Sequence, residues 1–304
     1  DNGQDAHIVI GKDTRRSGYM LELALAAGIC SVGSDAWLVG PLPSPGIAYL
    51  TRGLRSSCGI MLSASHNPYY DNGIKIFDHT GFKLPDAMEL EIEAMLDQDL
   101  SEHTASHGDI GRTRFISDAI GQYAVFLKEQ FPKQLSLQGL RIVIDPANGA
   151  GYRVAPKVIK ELGAEVIMIN DQPNGTNINE NCGATYVEPL QKAVETYRAD
   201  LGIALDGDAD RFVAVDHTGQ VIDGDAIMAI CGLYMLENNS LAKNTVVGTT
   251  MSNLALEELI TQNGGKFIRT DVGDRYIIEE MTRNDYNFGG EKSGHLVFGD
   301  CSTT

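Results

Sequence analysis

The chain is short of cysteine, of basic charge and of long apolar runs, and each scarcity excludes a class of function. Its five cysteines (Cys30, Cys58, Cys182, Cys231 and Cys301) are an odd, scattered set with no C-x-x-C spacing. That excludes a disulfide framework and gives a zinc site no basis, so the thiols read as reduced groups of a cytoplasmic protein. Only 24 Lys and Arg stand against 41 Asp and Glu, a formal net charge of −17. Such a field argues against nucleic acid and anionic membranes as partners, although a local basic pocket is compatible with it. Apolar runs such as Ile8–Ile10 and Ile142–Ile144 fall far short of the ~20 residues that a membrane-spanning helix needs. No secretory signal pattern is visible in the first residues. There is no G-x-S-x-G, so a hydrolase elbow has no support. Asp145-Pro-Ala-Asn-Gly-Ala-Gly151 lacks the lysine of a P-loop and the spacing of a dinucleotide fingerprint, and reads as a tight structural turn.

What is present is a repeated alternation of short strand and helix. At 304 residues, with 43 % apolar and 21 % charged residues, the chain is a globular protein large enough for two or three domains. Strands are expected at 7–10, 36–39, 59–62 and 74–77, then at 141–144, 165–169 and 201–205, then at 245–247 and 266–268. Helices are expected at 19–27, 45–54, 85–96, 117–131, 154–162, 189–198, 225–236, 254–262 and 274–284. The polar stretch 97–114, with few large apolar residues, reads as a connection between domains. Alternation of this kind predicts an α/β fold of three consecutive units with mostly parallel sheets: 1–115, 116–216 and 217–304.

The richest chemistry lies in Leu205-Asp-Gly-Asp-Ala-Asp-Arg211, at the end of a predicted buried strand. In an extended chain Asp206, Asp208 and Asp210 point the same way, and three close carboxylates repel unless a cation sits among them. An oxygen-only donor set suits a hard ion such as Mg²⁺. A calcium EF-hand fails, because Arg211 stands where its loop needs glycine and His217 where it needs glutamate. The plain alternative is a solvated acidic turn.

Three further segments carry polar groups at strand ends or in glycine-rich loops. Ser63-Ala-Ser-His-Asn-Pro68 follows a predicted strand, and Ser65 there could be a nucleophile or phosphoryl acceptor, or part of a generic turn. Gly289-Gly-Glu-Lys-Ser-Gly-His295 could let Glu291 and Ser293 bond ligand hydroxyls, or be a flexible hairpin. His295 taken alone is more often a satisfied structural histidine. Gly11-Lys-Asp-Thr-Arg-Arg-Ser-Gly18 offers Arg15 or Arg16 as a phosphate clamp before a helix N-terminus, or an exposed charged turn.

Taken together, and in their order along the chain, the four segments resemble one family, the α-D-phosphohexomutases. They correspond to its arginine loop, phosphoserine loop, metal loop and sugar-binding loop. Ser63, Tyr69–Phe77 and His295–Thr304 are most similar to the branch acting on amino-sugar phosphates. The resemblance implies an isomerase that interconverts glucosamine 6-phosphate and glucosamine 1-phosphate on the route to cell-wall precursors. Glucose or mannose phosphates are the alternative substrates, and a metal-dependent phosphatase or a silent sugar-phosphate-binding module are alternative functions.

The implied chemistry runs through a phosphorylated Ser65 and a sugar 1,6-bisphosphate, which in catalytic amount also acts as activator. One Mg²⁺ is implied on Asp206, Asp208, Asp210 and a phosphoserine oxygen. Arg15 is implied as the arginine that binds the moving phosphoryl group and Arg211 as the one beside the metal loop. Lys75 is the implied general acid or base, with His66 and His295 as weaker candidates. Glu291 and Ser293 are implied to hold the sugar hydroxyls, and Arg275, in Thr270–Arg275, to make a further substrate contact. A homodimer is possible within the family. The resemblance also implies a chain truncated at both ends: an initial strand and the end of the third domain are missing, as is a fourth domain whose Arg-x-Ser-Gly-Thr loop grips the non-reacting phosphate. Losing that grip is expected to weaken substrate and transition state together. For the whole reading to hold, the Ser65 hydroxyl must lie within about 7 Å of the acids.

Overall fold

Short β-branched runs bounded by glycine and polar turns become buried strands, and the computed structural model describes them over residues 6–302. The first unit holds β1 (His7–Lys12), α1 (Arg16–Ser31), β2 (Asp35–Pro41), α2 (Ser44–Gly53), β3 (Cys58–Leu62), β4 (Ile74–Asp78), α3 (Asp86–Met95) and β5 (Thr113–Phe115). Its sheet has the order β4-β3-β1-β2-β5, with β4 antiparallel to β3 and the other pairs parallel. The stretch expected as a plain connection, 97–114, contains two 3₁₀ turns and delivers β5 to the edge of this sheet. All three β5 residues are exposed, so no burial pattern marked it as a strand.

The second unit contains α4 (Ala119–Gln130), β6 (Arg141–Asp145), α5 (Val154–Glu161), β7 (Glu165–Met168), α6 (Glu188–Tyr197), β8 (Leu201–Leu205), β9 (Phe212–Asp216) and β10 (Val221–Ile222). Its sheet runs β10-β9-β8-β6-β7, parallel at β8-β6-β7 and antiparallel at the β8-β9-β10 edge. The metal-loop segment therefore joins two antiparallel neighbours. The strands β9 and β10 went unpredicted, and β10 pairs back onto the second sheet beyond the expected break after 216.

The third unit holds α7 (Gly224–Glu237), β11 (Thr245–Thr249), α8 (Leu254–Gln262), β12 (Lys266–Thr270), α9 (Asp274–Asn284), β13 (Phe288–Gly290) and β14 (Leu296–Phe298), in the sheet order β12-β11-β13-β14. Side chains cap α7 and α8: Asp223 accepts from the Ala226 amide and Asn253 from the Ala255 amide. β13 and β14 form the antiparallel hairpin that carries Gly289–His295. β13 reads Phe-Gly-Gly, and glycine is depleted from strands, so the pattern concealed it. Of the segment His295–Thr304, the last two residues lie outside the described residues.

The first two units share one apolar core. Ile47 and Leu50 of α2, Met61 of β3, Phe77 of β4, Tyr123 and Ala124 of α4, and Val154 and Val158 of α5 form a single buried cluster. Close packing of this kind transmits position rather than absorbing it. The loops that leave β3 and β8 are thus held in a fixed relation to each other.

Candidate active site

Three units contribute loops to one place. The serine loop follows β3, the acidic loop links β8 to β9, and the third-unit hairpin loop closes beside them. The Ser44 amide donates to the Asp208 carbonyl at 2.9 Å, and the Phe212 amide to the Gly294 carbonyl at 2.9 Å. The acids are thereby tied to the first and third units.

The three carboxylates converge as their alternation implies. One oxygen from each of Asp206, Asp208 and Asp210 lies within 4.8 Å of the others. Asp206 and Asp208 are 1 % and 0 % exposed, which removes the solvated acidic turn as a reading. The Ser65 hydroxyl donates to Asp206 Oδ2 at 2.5 Å, far inside the required limit. Ser65 adopts φ +48°, a left-handed conformation that costs a β-carbon residue on the order of 1–2 kcal/mol. Its amide donates to Ser63 Oγ at 3.0 Å, and Ser63 donates to Asp13 at 2.6 Å.

The charges are unbalanced. Burial first, then Asp210 and Asp208, push the Asp206 carboxyl well above the ordinary aspartate range. Burial would raise Asp210 too, but Lys75 and then His295 hold it down at about 2. Lys75 Nζ donates to Asp208 at 2.6 Å and to Asp210 at 2.9 Å. Burial disfavours its charge, yet these two acids outweigh that and raise its pKa. One ammonium among three acids leaves a negative excess, and Asp208 Oδ1 and Asp210 Oδ1 are buried without a hydrogen-bond partner. Orphaned carboxylate oxygens beside a serine hydroxyl form an oxygen-only donor set that fits a hard divalent cation.

The other expected residues fall into two groups. Arg15, 1 % exposed, pairs with Asp13 and donates to the carbonyls of Ser65 (3.2 Å), Asn67 (2.6 Å) and Pro68 (3.4 Å). Its guanidinium braces the serine loop, and its Nε is buried without a hydrogen-bond partner. Arg16 is exposed. His66 is exposed beside the cluster, and its pKa is lowered by partial burial and then by Arg211. The Arg211 amide donates to Asp206 Oδ1 at 3.2 Å, while its side chain borders a largely apolar cavity of about 550 Å³ that includes Tyr123, Phe126 and Leu296. His295, 4 % exposed, lies 3.9 Å from Asp210 and 3.7 Å from Asp274. Glu291 accepts from the Gly273 amide at 2.9 Å and from Ser293 Oγ at 3.2 Å. Arg275 is not brought to the acids: it pairs with Asp86 of α3 and with Glu279. A cationic side chain flanked by two carboxylates finds its counter-charges there, at the contact between the first and third units.

Sequence reasoning missed several residues that build the site. Ser44 donates to Asp208 through its hydroxyl, and Lys83 pairs with Asp274. Lys75, Asp210, His295, Asp274 and Lys83 follow one another in a continuous row of close polar contacts. Asn179 reaches the serine-loop carbonyls from the second unit. The turn 145–151 is structural as expected: Asp145 accepts from the Ala147 and Gly183 amides and from Asn170. Its Ala150 amide donates to the Gly207 carbonyl at 2.8 Å and so supports the acidic loop.

Three α/β units thus bring the serine of one loop onto a triad of acids of another. The chain belongs to the phosphoglucomutase/phosphomannomutase family: alpha/beta/alpha domain I matches residues 1–103, domain II 121–219 and domain III 223–304. Within it, a phosphoglucosamine mutase of Anaeromyxobacter sp. (strain Fw109-5) is 56 % identical over 309 residues, covering 100 % of this chain and 66 % of its own length. A phosphoglucosamine mutase of Geotalea uraniireducens (strain Rf4) is 55 % identical over 305 residues, covering 100 % and 67 %. The chain thus spans about two thirds of the length of these curated relatives. A phosphoglucomutase/phosphomannomutase family protein from Burkholderia thailandensis superposes with a TM-score of 0.83 at 23 % identity, covering 97 % of this chain and 64 % of that one. An Aspergillus fumigatus N-acetylphosphoglucosamine mutase, solved with GlcNAc-6P and magnesium, superposes with a TM-score of 0.59 at 19 % identity, covering 91 % and 66 %.

Proposed function

We propose that this chain carries the phosphoryl-transfer machinery of a phosphoglucosamine mutase, interconverting glucosamine 6-phosphate and glucosamine 1-phosphate. The observation that carries the reading is the Ser65 hydroxyl on Asp206 at 2.5 Å, beside two buried carboxylate oxygens that accept no hydrogen bond. Relatives above 50 % identity named phosphoglucosamine mutase support the amino-sugar substrate.

The reaction begins with Ser65 phosphorylated. The free hydroxyl oxygen of the bound sugar phosphate attacks that phosphorus, the bond to Ser65 Oγ breaks, and a 1,6-bisphosphate forms. After the bisphosphate reorients, Ser65 Oγ attacks its other phosphorus, the bond from that phosphorus to the sugar oxygen breaks, the freed sugar oxygen takes a proton, and the phosphoenzyme is restored. A Mg²⁺ held by Asp206, Asp208, Asp210 and Ser65 would offset charge on the phosphoryl in transfer, the electrostatic part that this chemistry chiefly needs. Lys75, beside Asp208 and Asp210, is assigned the proton exchange, with His66 and His295 as the other groups within the assembly. Arg15 fixes the loop that presents Ser65. Glu291 and Ser293 hold sugar hydroxyls from the third unit, and Arg211 stands at the edge of the acidic loop. We divide the chain at 1–115, 116–216 and 217–304, with β10 lent by the third unit to the second sheet. The free thiols support a reducing compartment such as the cytoplasm.

The test is a coupled assay of the complete enzyme with glucosamine, glucose and mannose phosphates, with and without catalytic glucose 1,6-bisphosphate. Activation by the bisphosphate, little release of inorganic phosphate and preference for the amino sugar are expected. Intact-mass measurement should find one extra phosphate, lost in Ser65→Ala; full activity in that variant would exclude a phosphoenzyme. Light scattering distinguishes a homodimer from a monomer.

A further inference from the structure

A side chain of the unit that carries the acids reaches over to the serine loop. Asn179 lies between β7 and α6, and its Nδ2 donates to the Ser65 carbonyl at 2.8 Å and to the Asn67 carbonyl at 3.0 Å. Carbonyls only accept, so the two contacts fix which end of the amide faces the loop. Arg15 Nη2 reaches the same two carbonyls from within the first unit. The two donors differ in origin. Arg15 shapes the loop, whereas Asn179 fixes it relative to β8 and the acidic loop. A β-carbon on Gly207 would sit 2.4 Å from the Ser65 carbonyl and 2.8 Å from Asn179 Nδ2, so loop, amide and acidic-loop backbone meet at one point.

We infer that Asn179 is a positioning residue for phosphoryl transfer, holding the left-handed Ser65 so that its hydroxyl meets Asp206. Nothing in its own conformation opposes this role. Asn179 has φ +59° and its amide donates to the Ala147 carbonyl at 3.0 Å, and asparagine is among the side chains that tolerate this region best. Losing the strut leaves Arg15 to hold the loop's shape but frees the loop to shift against the acids. A shift near 1 Å in a reacting group can cost about 100-fold in rate.

Two variants separate positioning from packing. Asn179→Asp keeps the side-chain shape and tolerates the left-handed backbone, but turns the donor into an acceptor facing two carbonyls. Asn179→Gly keeps the backbone conformation and deletes the side chain. The inference rests on the proposed mutase reading, so the complete enzyme is assayed first with glucosamine phosphate and catalytic bisphosphate. Both variants should lower kcat about 10- to 100-fold, leave KM within about threefold and slow phosphorylation of Ser65 followed by intact mass. A packing role would spare Asn179→Asp, so wild-type kcat in that variant overturns the inference. A crystal structure of Asn179→Gly tests the assignment without reference to turnover. Displacement of the Ser65 hydroxyl from Asp206 supports it, and an unmoved Ser65 refutes it even if the mutase reading itself failed.

Discussion

Gly207 lies between two of the three acids, and replacing it by alanine would test whether the two loops must touch. The added β-carbon would sit 2.4 Å from the Ser65 carbonyl, 2.8 Å from Asn179 Nδ2 and 2.9 Å from Ile178 Cδ1, whereas ordinary contact begins near 3.4 Å. The Ser65 carbonyl, a backbone atom held by Arg15 and Asn179, must therefore retreat by about 1 Å. The 2.5 Å hydrogen bond from Ser65 to Asp206 does not survive a shift of that size. A displacement near 1 Å costs about 100-fold in rate, or roughly 2.7 kcal/mol of transition-state stabilisation. Gly207 has no positive φ, so alanine itself is not strained there, and reduced freedom of the unfolded chain offsets about 0.4–1 kcal/mol of the clash. The expected result for Gly207→Ala in the complete enzyme is a kcat down about 100-fold with a melting temperature lowered only modestly. The control is Gly28→Ala on the exposed face of α1, where nothing lies within 4 Å of the added carbon; it should gain up to about 1 kcal/mol and keep full activity. A Gly207→Ala enzyme with kcat within about threefold of wild type would refute the argument that loop contact sets the rate.

The remaining predictions concern charge. Asp208→Asn should weaken divalent-cation binding by at least about tenfold, roughly 1.4 kcal/mol, measured by Mn²⁺ titration with electron paramagnetic resonance; unchanged binding would remove Asp208 from the donor set. Lys75→Met leaves the buried acids without their ammonium and should destabilise the cation-free protein by about 3 kcal/mol, with saturating Mg²⁺ restoring much of it. Equal melting of wild type and variant in chelator would contradict this. For Asp274, burial would raise the carboxyl, but Lys83 and His295 outweigh it and hold it below its ordinary value of 3.8. A depressed folded pKa gives stability that is present above about 3.8 and lost as pH falls through the lower folded value. The stability gap between wild type and Lys83→Met at pH 7 should therefore close on acidification below pH ~4; a gap unchanged at pH 3 would show that the pair contributes nothing.

The sequence by itself determined the repeated α/β alternation, the order of four loops along the chain and the convergence of Asp206, Asp208 and Asp210. Those features are local: strand periodicity sets which way alternate side chains point, and glycine and proline mark the loops. It did not disclose β9, β10 or β13, because short or glycine-bearing strands are defined by their partners rather than by their own pattern. Nor could it assign the arginines. Arg15 braces a loop from inside, and Arg275 meets Asp86 and Glu279. Which counter-charges surround a long cation depends on residues far away in the chain. The same holds for Ser44, Lys83 and Asn179, whose partners lie 164, 191 and 114 positions away. Only tertiary structure decided that the serine of one unit reaches the acids of the next, because that distance is set by a core the first two units share.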